Sequence, residues 1–303
     1  MYPFVGIPTF LRAPVADSAE GVRLAVLGVP FDEGSPFIPG SRFGPRGIRE
    51  QSMRFASAPD SRFDVRTGGR LLDLEPDELV DLGDVAVVAA DPATTAANVT
   101  AAVREVVAAG AVPVVLGGDH SITLPIVRAL DGPLHVVQFD AHLDYAEAHG
   151  SNRYSNAHAF RPISRMETVA RLTQVGIRSL RTEAGLYRAS LADGNRIVPP
   201  DKLRSLGPGG LAALVPDGAR CYLSVDVDVL DMALVPGCVS AEPGGLSYAE
   251  LRDAVVAVAA RANVVGIDLV EVNPGIDTPG GATAYLAAHL LVEALDTIAR
   301  GPA

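Results

Sequence analysis

The residues best suited to chemistry stand at alternate positions directly after an apolar run. The segment "HVVQFDAHLDY" contains Asp140, His142 and Asp144, and the segment "SVDVDVLD" repeats the spacing with Asp226 and Asp228. In an extended backbone, side chains at alternate positions point to the same side. The spacing therefore predicts two groups of polar side chains, each of them facing a single spot.

Four carboxylates gathered in one pocket would repel one another, and most would be protonated unless cations were present. Two divalent ions would balance the four negative charges. Oxygen ligands with a minority of imidazole and no thiolate suit Mn²⁺ or a similar ion, and they disfavour structural zinc. Two such ions about 3.5–4 Å apart can share one hydroxide, which attacks an electron-poor carbon. The acids therefore predict a hydrolase site, and His120 of "GGDHS" adds a second imidazole.

Each of these residues also has an ordinary structural interpretation. An aspartate after a strand is commonly a helix N-cap or a turn former. Coincidence explains one such residue more easily than it explains "DxHxD", "DxD" and "GGDHS", which all stand at the ends of apolar runs. The combination therefore favours a metal site.

Short apolar runs alternate with helical patterns along the chain. The runs "AVPVVLGGDHS", "GPLHVVQFDAHLD", "CYLSVDVDVLD" and "NVVGIDLVEVNP" are typical of buried strands, and residues 95–110 have helical spacing. This alternation predicts an α/β fold with a mostly parallel sheet and helices on both faces. No low-complexity linker interrupts it, so residues 1–303 are predicted to form a single domain. Ligands of such sheets gather beyond the carboxyl ends of the strands, where these motifs stand.

Composition narrows the classes of partner. The 303 residues can bury a large core. A net charge of -11 disfavours nucleic acid and acidic membrane surfaces. The start lacks a basic segment followed by a long apolar run, no eighteen apolar residues follow one another, and there are only two cysteines, Cys221 and Cys238. We therefore expect a cytoplasmic protein without a signal peptide or a membrane span.

The motifs "GGDHS", "DAHLD", "SVDVDVLD" and "EVNP" together resemble those of the ureohydrolase family, which includes arginase, agmatinase, guanidinobutyrase and proclavaminate amidinohydrolase. The resemblance runs from about residue 22 to the last helix. It implies a three-layer α/β/α fold, two manganese ions per chain and the release of urea from a small guanidino substrate. It also implies a homo-oligomer, either a trimer or a hexamer.

Carried onto this chain, the resemblance implies six metal ligands. They are His120 and Asp144 for one ion, His142 and Asp228 for the other, and Asp140 and Asp226 as bridges. Asp119 would orient its neighbours rather than bind metal. Glu271 of "EVNP" would receive the guanidinium, since a planar cation with forked donors pairs well with a carboxylate.

The chain departs from the family pattern in two places. Relatives carry a histidine, credited with proton transfer, where "NRYSNAHAF" has Asn156, and asparagine cannot shuttle a proton. Three alternatives follow: His158 takes over as the catalytic proton shuttle, water transfers the proton, or activity is reduced. His158 is the favoured residue, although a surface loop would also explain it. The second departure is "PGCVSAEPGG", whose Cys238 to Ala241 make the pocket wall less polar and point to a less common substrate.

The end of the substrate opposite the guanidino group would be recognised by residues 33–42 and 145–165. Glu147 could meet the amine of agmatine, whereas Arg153, Arg161 and Arg165 could meet a carboxylate or could simply be solvated. Agmatinase-like action is the default, and a guanidino acid or a biosynthetic intermediate is the alternative substrate. Hydrolysis of a formimino C–N bond and a metal-bound, catalytically silent oligomer subunit are the competing functions. Urea release would separate an active enzyme from a silent subunit.

Overall fold

The computed structural model describes residues 2, 4–58, 61–75, 78–148 and 153–302. Ten strands occur in these residues. They are β1 (Leu24–Val29), β2 (Phe63–Asp64), β3 (Gly69–Arg70), β4 (Leu79–Asp84), β5 (Val112–Gly117), β6 (Leu134–Phe139), β7 (Val169–Val175), β8 (Arg196–Val198), β9 (Arg220–Asp226) and β10 (Asn263–Val270). Eight of them form one sheet in the order β4-β1-β5-β10-β9-β6-β7-β8, and every neighbouring pair is parallel. The other two, β2 and β3, form a short antiparallel hairpin.

Eight α-helices occur in the same described part of the chain. They are α1 (Gly44–Ser52), α2 (Pro92–Ala108), α3 (Thr123–Val127), α4 (Phe160–Ser164), α5 (Ala184–Ala192), α6 (Pro200–Ala212), α7 (Tyr248–Arg261) and α8 (Ala282–Arg300). The helix predicted over residues 95–110 is α2, which begins three residues earlier because Asp91 caps it by accepting a hydrogen bond from the Thr94 amide. Such capping satisfies one of the unpaired amides at a helix start.

The core lies on both faces of the sheet, because successive strand residues point in opposite directions. On one face, Leu223 and Val225 of β9 belong to a cluster that includes residues of α1, α6, α7 and α8. On the other face, Tyr222 of the same strand belongs to a cluster with residues of α2, α3 and α4. The predicted three-layer α/β/α fold with a mostly parallel sheet is therefore confirmed.

Strand order explains how distant sequence motifs meet. Four strands lie side by side in the order β5, β10, β9, β6, although they are far apart in the chain. Their carboxyl ends carry "GGDHS", "EVNP", "DVD" and "DAHLD" respectively. Because parallel strands end at the same edge, the four motifs are brought to one place above the middle of the sheet.

Among the described residues, one helix is long and apolar enough to cross a membrane, and it is α8. Most of this helix is buried inside the protein, as is typical of a core helix, so it is weak evidence for a membrane location.

Candidate metal centre and cleft

Asp140 lies between two imidazoles. Its Oδ2 is 3.0 Å from Nδ1 of His120, and its Oδ1 is 3.5 Å from Nδ1 of His142. The side chain of Asp140 is fully buried. A carboxylate that presents one oxygen to each of two imidazoles has the arrangement that a bridging ligand needs.

His120 marks the first half of the centre. Its Nδ1 lies 3.2 Å from Oδ2 of Asp144 and 3.3 Å from Oδ2 of Asp226, yet this buried nitrogen has no hydrogen-bond partner among the described residues. The other ring nitrogen is 2.9 Å from Oγ of Ser224, which donates to Asp268 at 2.7 Å. The imidazole is therefore held from behind while Nδ1 faces three carboxylate oxygens.

His142 marks the second half. Its Nδ1 lies 2.9 Å from Oδ2 of Asp228, and that carboxylate oxygen also lacks a hydrogen-bond partner among the described residues. One donor atom each from His120, Asp140 and Asp144 lie within 4.8 Å of one another. The same holds for Asp140, His142 and Asp228. All six residues predicted as metal ligands are thus brought together.

Burial and mutual repulsion disfavour the charged form of several carboxylates in the centre and raise their pKa values. Burial and the neighbouring Asp140 raise the pKa of Asp144 to about 6. Burial and the charges of Asp228 and Asp140 raise the pKa of Asp226 well above its ordinary value. Burial opposes the charged form of His142, but Asp228 and Asp140 outweigh it and raise its pKa to about 12. The centre therefore attracts cations, here protons.

A divalent cation is a better match for these donors than a proton. The buried Nδ1 of His120 and Oδ2 of Asp228 both lack a hydrogen-bond partner among the described residues. His120 is grouped with Asp140 and Asp144, and Asp228 is grouped with Asp140 and His142, so each atom lies near other potential metal ligands. Carboxylate oxygens with a minority of imidazole are ligands that manganese accepts. The residues present fit two such ions.

Glu271 lies beside this centre. Its Oε1 accepts hydrogen bonds from the backbone amide of His120 at 3.0 Å and from Nδ2 of Asn156 at 3.2 Å. Burial and the charge of Asp119 raise the pKa of Glu271 to about 8. Glu271 has φ 64° and Asp144 has φ 47°, and residues other than glycine rarely adopt such positive φ angles. Such strain concentrates at functional sites.

A cleft of about 530 Å³ opens onto these residues. Its polar lining includes His142, Asp144, Asn156, Arg181, Glu242 and Glu271. Its apolar lining includes Phe37, Ile38, Leu143, Leu186, Val239 and Ala241. The cleft therefore combines a charged floor with walls that suit a hydrocarbon chain.

His158 does not join the other predicted residues. It lines a separate cavity of about 640 Å³, whereas Asn156 lines the cleft. The two residues belong to one 3₁₀ turn, Asn156–His158, in which positions two apart point in different directions. His158 therefore does not line the cleft, and its proton-shuttle role stays a prediction.

The loop charges considered for the substrate tail also lie elsewhere. Arg161 forms an ion pair with Glu147 at 2.6 Å, and Arg165 forms one with Asp193 at 2.9 Å. Arg153 lines the separate cavity together with His158. The charged residues at the cleft that sequence reasoning missed are Arg181 and Glu242.

A signal for Arg181 exists in the sequence. It follows β7 within "GIRSLR", at the same edge of the sheet as the other polar motifs. The short spacing from the strand end could have placed it there, since parallel strands end at the same edge.

Two supporting predictions can be compared with the structure. Asp119 accepts hydrogen bonds from the backbone amides of Gly34 at 2.7 Å and Ser121 at 2.9 Å, so it ties neighbouring loops together. A Cβ on Gly34 would lie 2.4 Å from the carbonyl oxygen of Tyr154, so this close approach requires glycine.

Cys238 is buried beside Asp226 and Asp228, and burial and these charges raise its pKa well above the ordinary value. A buried, neutral thiol packs against its neighbours and does not line the cleft.

Comparison with known proteins gives the family. A sequence model described as the arginase family matches residues 22–296. The mitochondrial guanidino acid hydrolase of Homo sapiens is 37% identical over 96% of this chain and 82% of that protein. The mitochondrial agmatinase of Gallus gallus is 36% identical over 96% and 85%. The solved structure of proclavaminate amidinohydrolase from Streptomyces clavuligerus has a TM-score of 0.88 at 32% identity and covers 99% of both chains. The resemblance to ureohydrolases is thereby confirmed: the chain belongs to the arginase family.

Proposed function

We propose that this protein is a binuclear manganese amidinohydrolase that converts a guanidino compound and water into urea and an amine. The observation that carries the proposal is the placement of Glu271 beside the centre, where its Oε1 accepts the backbone amide of the predicted ligand His120 at 3.0 Å. A carboxylate suited to a guanidinium thus stands next to donors suited to two divalent ions. Family membership supports the reaction class.

Six residues would hold the ions in this proposal. They are His120 and Asp144 for one ion, His142 and Asp228 for the other, and Asp140 and Asp226 between them. When bound, two such ions supply a water made acidic enough to act as a nucleophile at neutral pH. The hydrogen bond from His120 to Ser224, continued to Asp268, fixes the ring so that Nδ1 keeps its direction.

Glu271 would bind and orient the substrate. Two N–H groups of a guanidinium can pair with one carboxylate in a fork, which fixes the plane of the cation. In the protein alone, burial keeps the pKa of Glu271 at about 8. An arriving guanidinium favours the charged carboxylate, so the ion pair forms within a buried setting where it is strong.

The departing nitrogen must gain a proton before it leaves as an amine. Asn156 faces the cleft but its amide cannot transfer a proton, and His158 lines a different cavity. We therefore propose that water in the cleft delivers this proton. The balance is one guanidinium and one water consumed, with one urea and one alkylammonium formed.

Agmatine is the default substrate from the sequence, and a guanidino acid is the alternative. A formimino compound would release formamide instead of urea, so product identity separates that reaction from the proposed one. Incubation of the manganese-loaded protein with guanidino and formimino compounds should give urea and amine in equal amounts from the former alone. Formamide without urea would contradict the proposal. Cytoplasmic location and a trimeric or hexameric state remain predictions.

A further inference from the structure

The cleft carries one guanidinium among the residues that the structure describes there, and it belongs to Arg181. We propose that Arg181 binds the carboxylate of the substrate, which makes the substrate an ω-guanidino acid rather than agmatine. This inference rests on the proposed amidinohydrolase function. It concerns the tail of the substrate, which the metal centre and Glu271 do not specify.

Arg181 is anchored along one edge and open along the other. Its Nε donates to Oε1 of Glu242 at 3.1 Å, and its Nη2 donates to the carbonyl oxygen of Ser240 at 3.3 Å. Its Nη1 has no hydrogen-bond partner among the described residues, and 63% of the side chain is exposed. A guanidinium that is held by its neighbours and still has free donors can receive a carboxylate with little ordering cost.

The same residue lies close to the reaction centre. Its Nη2 is 2.7 Å from Nε2 of His142, whose other nitrogen faces Asp228. Arg181 and the predicted guanidinium site at Glu271 therefore line one cleft. In this proposal a single small molecule in the cleft places its cation at Glu271 and its anion at Arg181.

Glu242 does not offer an equivalent place for an ammonium group. Its Oε1 already accepts from Oγ of Ser179 at 2.6 Å and from Nε of Arg181. An ammonium brought to this carboxylate would lie beside the Arg181 cation, and like charges in contact are unfavourable. The pair therefore selects against a cationic tail.

The walls between the two ends suit the middle of such a substrate. Phe37, Ile38, Val239 and Leu186 line the cleft and offer apolar surface. Methylene groups placed against them leave water, which is favourable. Arg161 and Arg165, the other arginines considered for a substrate carboxylate, do not line this cleft and are paired with Glu147 and Asp193.

The test compares substrates that differ only at the tail. The manganese-loaded protein is assayed with 4-guanidinobutyrate, its neutral amide and agmatine, and kcat/KM is measured for each. The Arg181→Gln and Arg181→Glu variants are compared with Arg188→Gln, which removes an exposed arginine outside the cleft lining. Manganese content is measured for every variant, because Arg181 contacts His142.

We expect the unchanged protein and Arg188→Gln to prefer the acid over its amide by roughly 10- to 100-fold, the range that a charge-assisted pair commands. In Arg181→Gln this ratio should fall at least about tenfold, and in Arg181→Glu agmatine should become the better substrate. A structural role for Arg181 would lower all three activities together and leave the ratio unchanged.

The outcomes separate the two proposals. Urea release with an acid-to-amide ratio that Arg181→Gln leaves unchanged would overturn the role of Arg181 and keep the amidinohydrolase function. A preference of the unchanged protein for agmatine would do the same. The absence of urea from every compound, with two manganese ions bound, would overturn the proposed function and the inference with it.

Discussion

The Nδ2 atom of Asn156 lies 3.2 Å from Oε1 of Glu271, and it donates a hydrogen bond there. Asn156 stands where the family resemblance implies a proton-transferring histidine, and it contacts the carboxylate predicted to bind substrate. Its position indicates a role in orienting Glu271, while proton delivery is left to another group.

Replacement of His158 by alanine should change kcat by less than about threefold, because general acid–base catalysts typically contribute 100-fold or more and His158 lines another cavity. Replacement of Asn156 by alanine should raise KM by about 2- to 10-fold, since one hydrogen bond to Glu271 is lost. Steady-state kinetics of urea release measure both effects. A drop of roughly 100-fold in kcat for His158→Ala would restore the shuttle assignment.

Replacement of Asp140 or Asp226 by alanine should abolish urea release and reduce bound manganese. Each carboxylate lies against donors from both halves of the centre, so its loss affects both ions. Metal analysis after dialysis measures the change. Asp73→Ala, at an exposed ion pair with Arg70, serves as the matched control and should bind metal normally. Full occupancy and turnover in Asp140→Ala would refute the bridging assignment.

Manganese should bind more tightly as pH rises from 6 to 8. Without metal, the neighbouring carboxylates raise the pKa of His142 to about 12, so its ring is in the doubly protonated, cationic form throughout this range. An imidazole binds metal only in its neutral form, and binding must release that proton. Each proton released makes the affinity rise about tenfold per pH unit. Calorimetry in buffers of different ionisation enthalpy measures the release, and a pH-independent affinity without it would disprove this reasoning.

Asp32 should stabilise the loop that forms one wall of the cleft. It accepts hydrogen bonds from the Gly40 amide at 2.6 Å and from the Arg42 side chain. Burial opposes the charge of Asp32, but the Arg42 side chain and the backbone amides of Gly40 and Arg42 outweigh burial and lower its pKa below 3.8. The stabilisation is therefore complete above pH about 4 and is lost as pH falls through the lower folded-state value.

The Asp32→Asn variant should lose about 1–3 kcal/mol of unfolding free energy at pH 7. Its deficit should shrink as pH falls below about 4, because the unfolded chain of the unchanged protein then binds a proton that the folded state binds only at lower pH. Denaturant unfolding across this pH range gives the comparison. A deficit of the same size at pH 3 and pH 7 would show that the charge of Asp32 is not responsible.

Local pattern was enough to predict the sheet and the residues at its edge. Apolar runs correctly placed Asp140, His142 and Asp144 directly after a strand. The extended backbone expected for them is wrong, because β6 ends at Phe139 and Asp144 has φ 47°, so a bent loop brings them together. Their meeting with Asp226 depends on β9 lying beside β6, which is a property of strand order. The rule that ligands gather beyond the carboxyl ends of parallel strands predicted their common edge. The family resemblance supplied which residues share an ion, because spacing within one strand carries no information about its neighbours.

Local pattern was not enough for side chains on loops. Arg161 and Arg165 stand near the metal motif in sequence, yet they pair with Glu147 and Asp193 and do not line the cleft. Arg181 follows a different strand and reaches the cleft through the fold. Which loop charges meet is decided by long-range packing. The sequence could therefore have placed Arg181 at the strand edge, but not its contacts with Glu242 and His142.

The most direct test of the binuclear amidinohydrolase is urea release as manganese is added back to metal-free protein, with a panel of guanidino acids, amides and amines as substrates. The account predicts urea from at least one compound, with activity that reaches its maximum at two manganese ions per chain. Activity that is complete at one ion, or a fully loaded protein that releases no urea, would contradict it.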